Sequence, residues 1–158
     1  MPDFVNFWTF NEKFLDVKIS YGVDDTRYDV VDNISVHSEI LIPISIFKGK
    51  SCGRTLISHL KSKGLSFSDI ARLLNRDPRT IWTAYKKASV ESSFDDNDLL
   101  IPVEIFSYRG FSILESVVFW LKSENGLNYT QIARLLGKNY QTVRTVYKRA
   151  LNKIGANE

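Results

Sequence analysis

GLSFSDIARLLNRDPRTIWTAYKKA (residues 64–88) returns as GLNYTQIARLLGKNYQTVRTVYKRA (residues 126–150). Aligned without a gap, 12 of the 25 positions are identical, among them Ile70/Ile132, Ala71/Ala133, Leu74/Leu136, Tyr85/Tyr147 and Lys86/Lys148. A second match lies upstream, EILIPISIF (39–47) against DLLIPVEIF (98–106). A unit of about sixty residues has been duplicated within one chain.

The repeated stretch reads as two short helices joined by a tight turn. Ser66 and Asn128 suit an N-cap, with Asp69 and Gln131 three residues on to complete a capping box. Phe67, Ile70, Ala71 and Leu74 then share one helical face, as do Tyr129, Ile132, Ala133 and Leu136. The turn is Asn75-Arg76-Asp77 or Gly137-Lys138-Asn139, and Asn and Gly accept the left-handed backbone that ends a helix. Asp77 and Asn139 cap the next helix, and Pro78 sits in its first turn, where a missing N–H costs little. Ile81, Ala84, Tyr85 and Ala88 face inward, like Val143, Val146, Tyr147 and Ala150. That leaves Arg79, Trp82, Thr83, Lys86 and Lys87 outward, against Gln141, Arg144, Thr145, Lys148 and Arg149.

Working outward, each repeat opens with L-I-P-x-x-I-F, a helix start or an extended lead-in. Ile42, Ile46, Phe47, Ile101, Ile105 and Phe106 are expected to pack under their own unit; the alternative is that they dock one repeat on the other. A first helix follows. Ser112 and Glu115 form its capping box in repeat 2, Leu114, Val117, Val118 and Leu121 its apolar stripe, and Asn125-Gly126 its end. In repeat 1 it spans Thr55 to Lys63, because Gly53 weakens an earlier start. Residues 15–21, LDVKISY, alternate like a half-buried strand, with a second candidate at 28–36. The expected fold is mainly α: two tandem trihelical helix-turn-helix units after a small β-containing N-terminal segment. The boundaries are 1–38 for the acidic preface, 39–90 for unit 1, 91–97 for an acidic linker and 98–158 for unit 2.

The chain has 158 residues, 44% of them hydrophobic, and a net charge of +3. That charge is segregated. Residues 1–47 hold three basic and eight acidic groups, and 48–88 hold ten basic and two acidic. Residues 89–106 hold five acidic groups and no basic one, and 107–154 hold eight basic and two acidic. A polyanion is drawn to the repeats and repelled by the segments around them. One cysteine points to a reducing cytosol, and no signal peptide or membrane span is expected. Gly49-Lys50-Ser51 lacks the earlier glycine of a phosphate loop, since position 44 is Ile44. His37, His59 and Cys52 lack metal-ligand spacing. No enzyme activity, cofactor or metal is expected.

The outward Arg, Gln, Thr and Lys of the third helices suit hydrogen bonds to base edges and neutralisation of phosphates. Ser68 and Thr130, with the N–H groups opening the second helices, are placed to grip a phosphate. Arg76 and Lys138 in the turns complete the candidate DNA contacts. The pattern G-L-[SN]-[FY]-x-x-I-A-x-x-L-x-[RK]-x-x-x-T-[IV]-x-x-x-Y-[KR]-[KR]-A resembles the helix-turn-helix of sigma factor region 4 and of LuxR-type regulators. With the I-P-x-x-I-F lead-in it is similar to small tandem helix-turn-helix proteins of archaea and their mobile elements. The resemblance covers about two-thirds of the chain, not residues 1–38. It implies double-stranded DNA as partner, read through Arg79, Trp82, Thr83 and Lys86 and through Gln141, Arg144, Thr145 and Lys148. Trp82 departs from it, being apolar where a polar reader is usual. The expected role is transcription regulation at the nucleoid, as a monomer or homodimer. The alternatives are an adaptor, with one repeat on DNA and the other on RNA polymerase or another regulator, and a DNA-targeting subunit of a recombination system.

Overall fold

The Leu-Ile-Pro tripeptide of each repeat runs extended, and the two tripeptides pair with each other. In the computed structural model, which describes residues 40–88 and 98–155, β1 (Leu41–Pro43) lies antiparallel to β2 (Leu100–Pro102). Ile42 stands opposite Ile101, Leu41 opposite Pro102 and Pro43 opposite Leu100. Ile42 and Ile101 are the same position of the repeat, so the ladder is centred on a local two-fold axis that exchanges the units. Flanking bonds obey the same exchange: the Ile44 N–H donates to the Leu99 carbonyl (2.9 Å), and the Val103 N–H to the Ile40 carbonyl (3.1 Å). Proline has no N–H to continue a ladder. After each one the chain tightens into a 3₁₀ turn, at Ile44–Phe47 and Val103–Ser107.

Three helices follow each turn. They are α1 (Cys52–Ser62), α2 (Phe67–Leu73) and α3 (Pro78–Lys86) in unit 1, and α4 (Ile113–Ser123), α5 (Tyr129–Leu136) and α6 (Tyr140–Gly155) in unit 2. Capping boxes open α2, α4 and α5 at Ser66/Asp69, Ser112/Glu115 and Asn128/Gln131. The Asp77 carboxylate accepts from the Arg79 N–H at 2.8 Å, and the Asn139 side chain from the Gln141 N–H at 2.7 Å. Asn75 and Gly137 both take the left-handed conformation, at φ +51° and +58°. The chain therefore holds two helix-turn-helix units in tandem and is mainly α. The β candidates within residues 1–38, and the 91–97 linker, lie outside the described residues.

One core serves both units: each lead-in packs under its own unit, as expected, and against the other unit as well. Ile42, Ile101, Phe47 and Phe106 are fully buried, and the two phenylalanine rings meet at 6.2 Å between centroids. The 44–47 turn packs on α1 of its own unit and on α5 of the other, while the 103–107 turn packs on α4 and α2. The helix ends dock across the same boundary. The Gly49 N–H donates to the Leu136 carbonyl at 2.9 Å, and a Cβ on Gly137 would stand 2.7 Å from the Gly49 nitrogen. On the opposite side Asn75 Nδ2 donates to the Ser107 carbonyl at 3.3 Å.

One boundary differs from the sequence reading. α1 begins at Cys52, three residues before Thr55, because burying Cys52 outweighs the roughly 1 kcal/mol cost of Gly53 in a helix. α6 runs past Ala150 to Gly155, since Ala150 and Ile154 join Phe111 and Phe119 in a small second cluster. Lys153 Nζ also bonds the buried Glu115 carboxylate at 2.7 Å.

Two buried groups in α1 have shifted acidity. Burial raises the Cys52 thiol to about 11, partly offset by Lys138. Burial, then nearby Lys63, lowers the His59 imidazole below its usual 6.5. The unfolded chain takes up this proton at a higher pH than the folded one. The associated stability is complete above the unfolded value and lost as pH falls through the folded value. Thermal melts should therefore show stability declining below about pH 6.5, with a smaller decline in His59→Leu. Gly137→Ala should lower unfolding free energy in denaturant by more than about 1 kcal/mol, through left-handed strain and collision with Gly49.

Candidate nucleic-acid interface

The outward faces of α3 and α6 are set by how the inner faces are clamped. Ile81 in α3 and Val143 and Val146 in α6 are buried. Tyr85 stands edge-on to Phe67 at 5.2 Å, and its counterpart Tyr147 to Tyr129 at 5.9 Å. A lysine from the first helix of each unit covers the pair: Lys61 Nζ lies 4.5 Å from the Phe67 ring and Lys122 Nζ 4.7 Å from that of Tyr129. The same aromatic and cationic clamp thus fixes the rotation of both third helices.

With the inner faces fixed, Arg79, Trp82, Thr83, Lys86 and Lys87 are exposed on or just beyond α3, and Gln141, Arg144, Thr145, Lys148 and Arg149 on α6. Ser68 and Thr130 are exposed in the first turns of α2 and α5. Thr83 Oγ1 donates back to the Arg79 carbonyl at 2.8 Å. Trp82 is 48% exposed, and Lys86 Nζ sits 3.7 Å from its ring centroid. A large apolar plate and a cation are therefore held together on α3, where α6 offers Arg144 and Lys148.

Arg76 and Lys138 do not stand with these residues. Each reaches into the other unit and donates to its backbone. Arg76 bonds the carbonyls of Phe111 (2.5 Å) and Arg109 (3.4 Å), and Lys138 Nζ bonds that of Lys50 at 3.0 Å. Burial, and then neighbouring Arg109, disfavour the charged form of Arg76. Their first role is to tie the two turns to the opposite units, which composition alone does not reveal. Tyr140 is a surface residue that the sequence reading passed over. It is 43% exposed at the start of α6 and packs edge-on to Tyr129 at 5.8 Å; its counterpart is Pro78. Arg72 and Arg134, identical in the repeats, are exposed as well.

No helix among the described residues is long and apolar enough to cross a membrane. Among the same residues no three His, Cys, Asp or Glu side chains cluster as metal ligands.

A capped helix, a left-handed turn and a second helix with an exposed polar face, present twice, define a helix-turn-helix DNA-binding protein. Two family matches agree: a helix-turn-helix domain over residues 54–83 and sigma-70 region 4 over residues 112–154. The protein thus carries two such domains in tandem and resembles sigma region 4 in the second. Comparison with curated proteins and with solved structures found no match.

Arg76→Ala removes charged hydrogen bonds between units and should cost on the order of 1.5 kcal/mol of stability, read as a lowered denaturation midpoint. An unchanged midpoint would return Arg76 to the list of DNA contacts.

Proposed function

We propose that this protein is a sequence-specific regulator of transcription that reads the major groove of double-stranded DNA with α3 and α6. The observation that carries this reading is the exposure of Arg79, Thr83 and Lys86 on one third helix and Gln141, Arg144, Thr145 and Lys148 on the other. Arginine pairs bidentately with guanine, and an apolar side chain such as Trp82 suits a thymine methyl. The two reading faces differ at equivalent positions, so the two half-sites differ in base sequence. Lysines neutralise phosphates, release counterions and make affinity fall steeply with salt.

A second reading rests on two features. Unit 2 is similar to sigma region 4, and the exposed Trp82 of unit 1 is a large apolar group at a surface otherwise polar. In that reading α6 holds DNA while Trp82 contacts polymerase or another protein. Gel shifts and pull-downs with Trp82→Ala separate the two: lost duplex binding favours the first, a lost protein partner the second.

Arg144→Ala should cost about 1–3 kcal/mol on the preferred duplex and relax base choice at one position. Equal loss on every sequence would make Arg144 a phosphate clamp. Lys148→Ala should weaken all duplexes alike and reduce the slope of log affinity against log salt by about 1. Fluorescence anisotropy titrations across a salt series read both.

A further inference from the structure

The two units follow one another head to tail in the sequence, but in space they do not. Antiparallel pairing of β1 with β2 is centred on equivalent residues, Ile42 and Ile101. The contacts around it come in exchanged pairs. Ile44 bonds Leu99 as Val103 bonds Ile40. Arg76 bonds the loop before α4, as Lys138 bonds the loop before α1. Phe47 meets its own counterpart Phe106. A rotation that swaps these partners swaps α3 with α6.

We propose that the chain binds an inverted pair of half-sites on one duplex, although its units are a direct repeat in sequence. The proposal rests on the reading of α3 and α6 as DNA-contacting helices. A duplex has its own two-fold axes, perpendicular to its length, which exchange its antiparallel strands. Two equivalent helices related by a two-fold meet equivalent groups on the duplex only if the half-sites are inverted, as in symmetric dimers. Units joined loosely would also accept half-sites pointing the same way. These units share a buried core and backbone hydrogen bonds across the boundary, so their relative orientation is built in. The symmetry is imperfect at the surface: Trp82 occupies the place of Arg144, and Arg79 that of Gln141. The inverted halves therefore carry different bases at the steps these residues reach.

The test uses the full chain. Duplexes are selected from a random pool, and the enriched motif is rebuilt in three forms: inverted halves, halves in the same direction at every spacing through one helical turn of about 10 base pairs, and a single half. The inverted form should bind at least about tenfold more tightly than either of the others. Lys86→Ala and Lys148→Ala should each weaken binding to it. Equal binding by a same-direction pair at any spacing overturns the proposal. So does equal binding by a single half, or indifference of the inverted form to Lys86→Ala. Absence of binding to every duplex, even in dilute buffer, would instead remove the underlying assignment of DNA binding.

Discussion

The pairing of Ile42 with Ile101 is the constraint on which the rest of the molecule depends. Each isoleucine is fully buried, a burial worth about 1.5–3 kcal/mol per side chain. Their larger effect is positional. The strand pair delivers the 44–47 and 103–107 turns to the boundary between units. There each turn forms part of the floor under its own first helix and under the second helix of the neighbour. Neither unit has a complete core without the other's lead-in, so the duplication has produced one folded body.

That shared floor passes order to the surface through the turns of the two helix-turn-helix motifs. Each turn must be left-handed at Asn75 or Gly137 to launch the next helix, and each also touches the opposite unit. Arg76 and Lys138 add cationic tethers from the same turns to carbonyl groups across the boundary. The residues that aim a third helix are thus the residues that register one unit against the other. Distortion at the boundary would therefore shift the outward faces of α3 and α6.

Much of this was legible in the sequence, because the signals are local and chemically specific. Capping pairs three residues apart, an Asn or Gly at the end of a helix, and apolar spacing of three and four defined α2, α3, α5 and α6. They also separated the inward from the outward face. What stayed hidden depends on long-range geometry. A three-residue strand has no periodicity to recognise, and its partner lies in the other repeat, so the Leu-Ile-Pro pairing left no local trace. Arg76 and Lys138 look like any turn cations until the carbonyls they meet are seen. The extra turns of α6 follow from Phe111 and Phe119, which offer Ala150 and Ile154 something to pack on. Unit 1 has Ser58 and Lys50 at the corresponding places.

Joining both halves in one polypeptide has a genetic consequence. In a homodimer a single codon specifies the same position in both arms, so any change in recognition appears twice. Here Trp82 and Arg144 are separate codons at matching sites on a common frame. If α3 and α6 read DNA as proposed, one arm is free to drift toward a new target while the other keeps hold of the old one, and a lineage moves between targets one arm at a time.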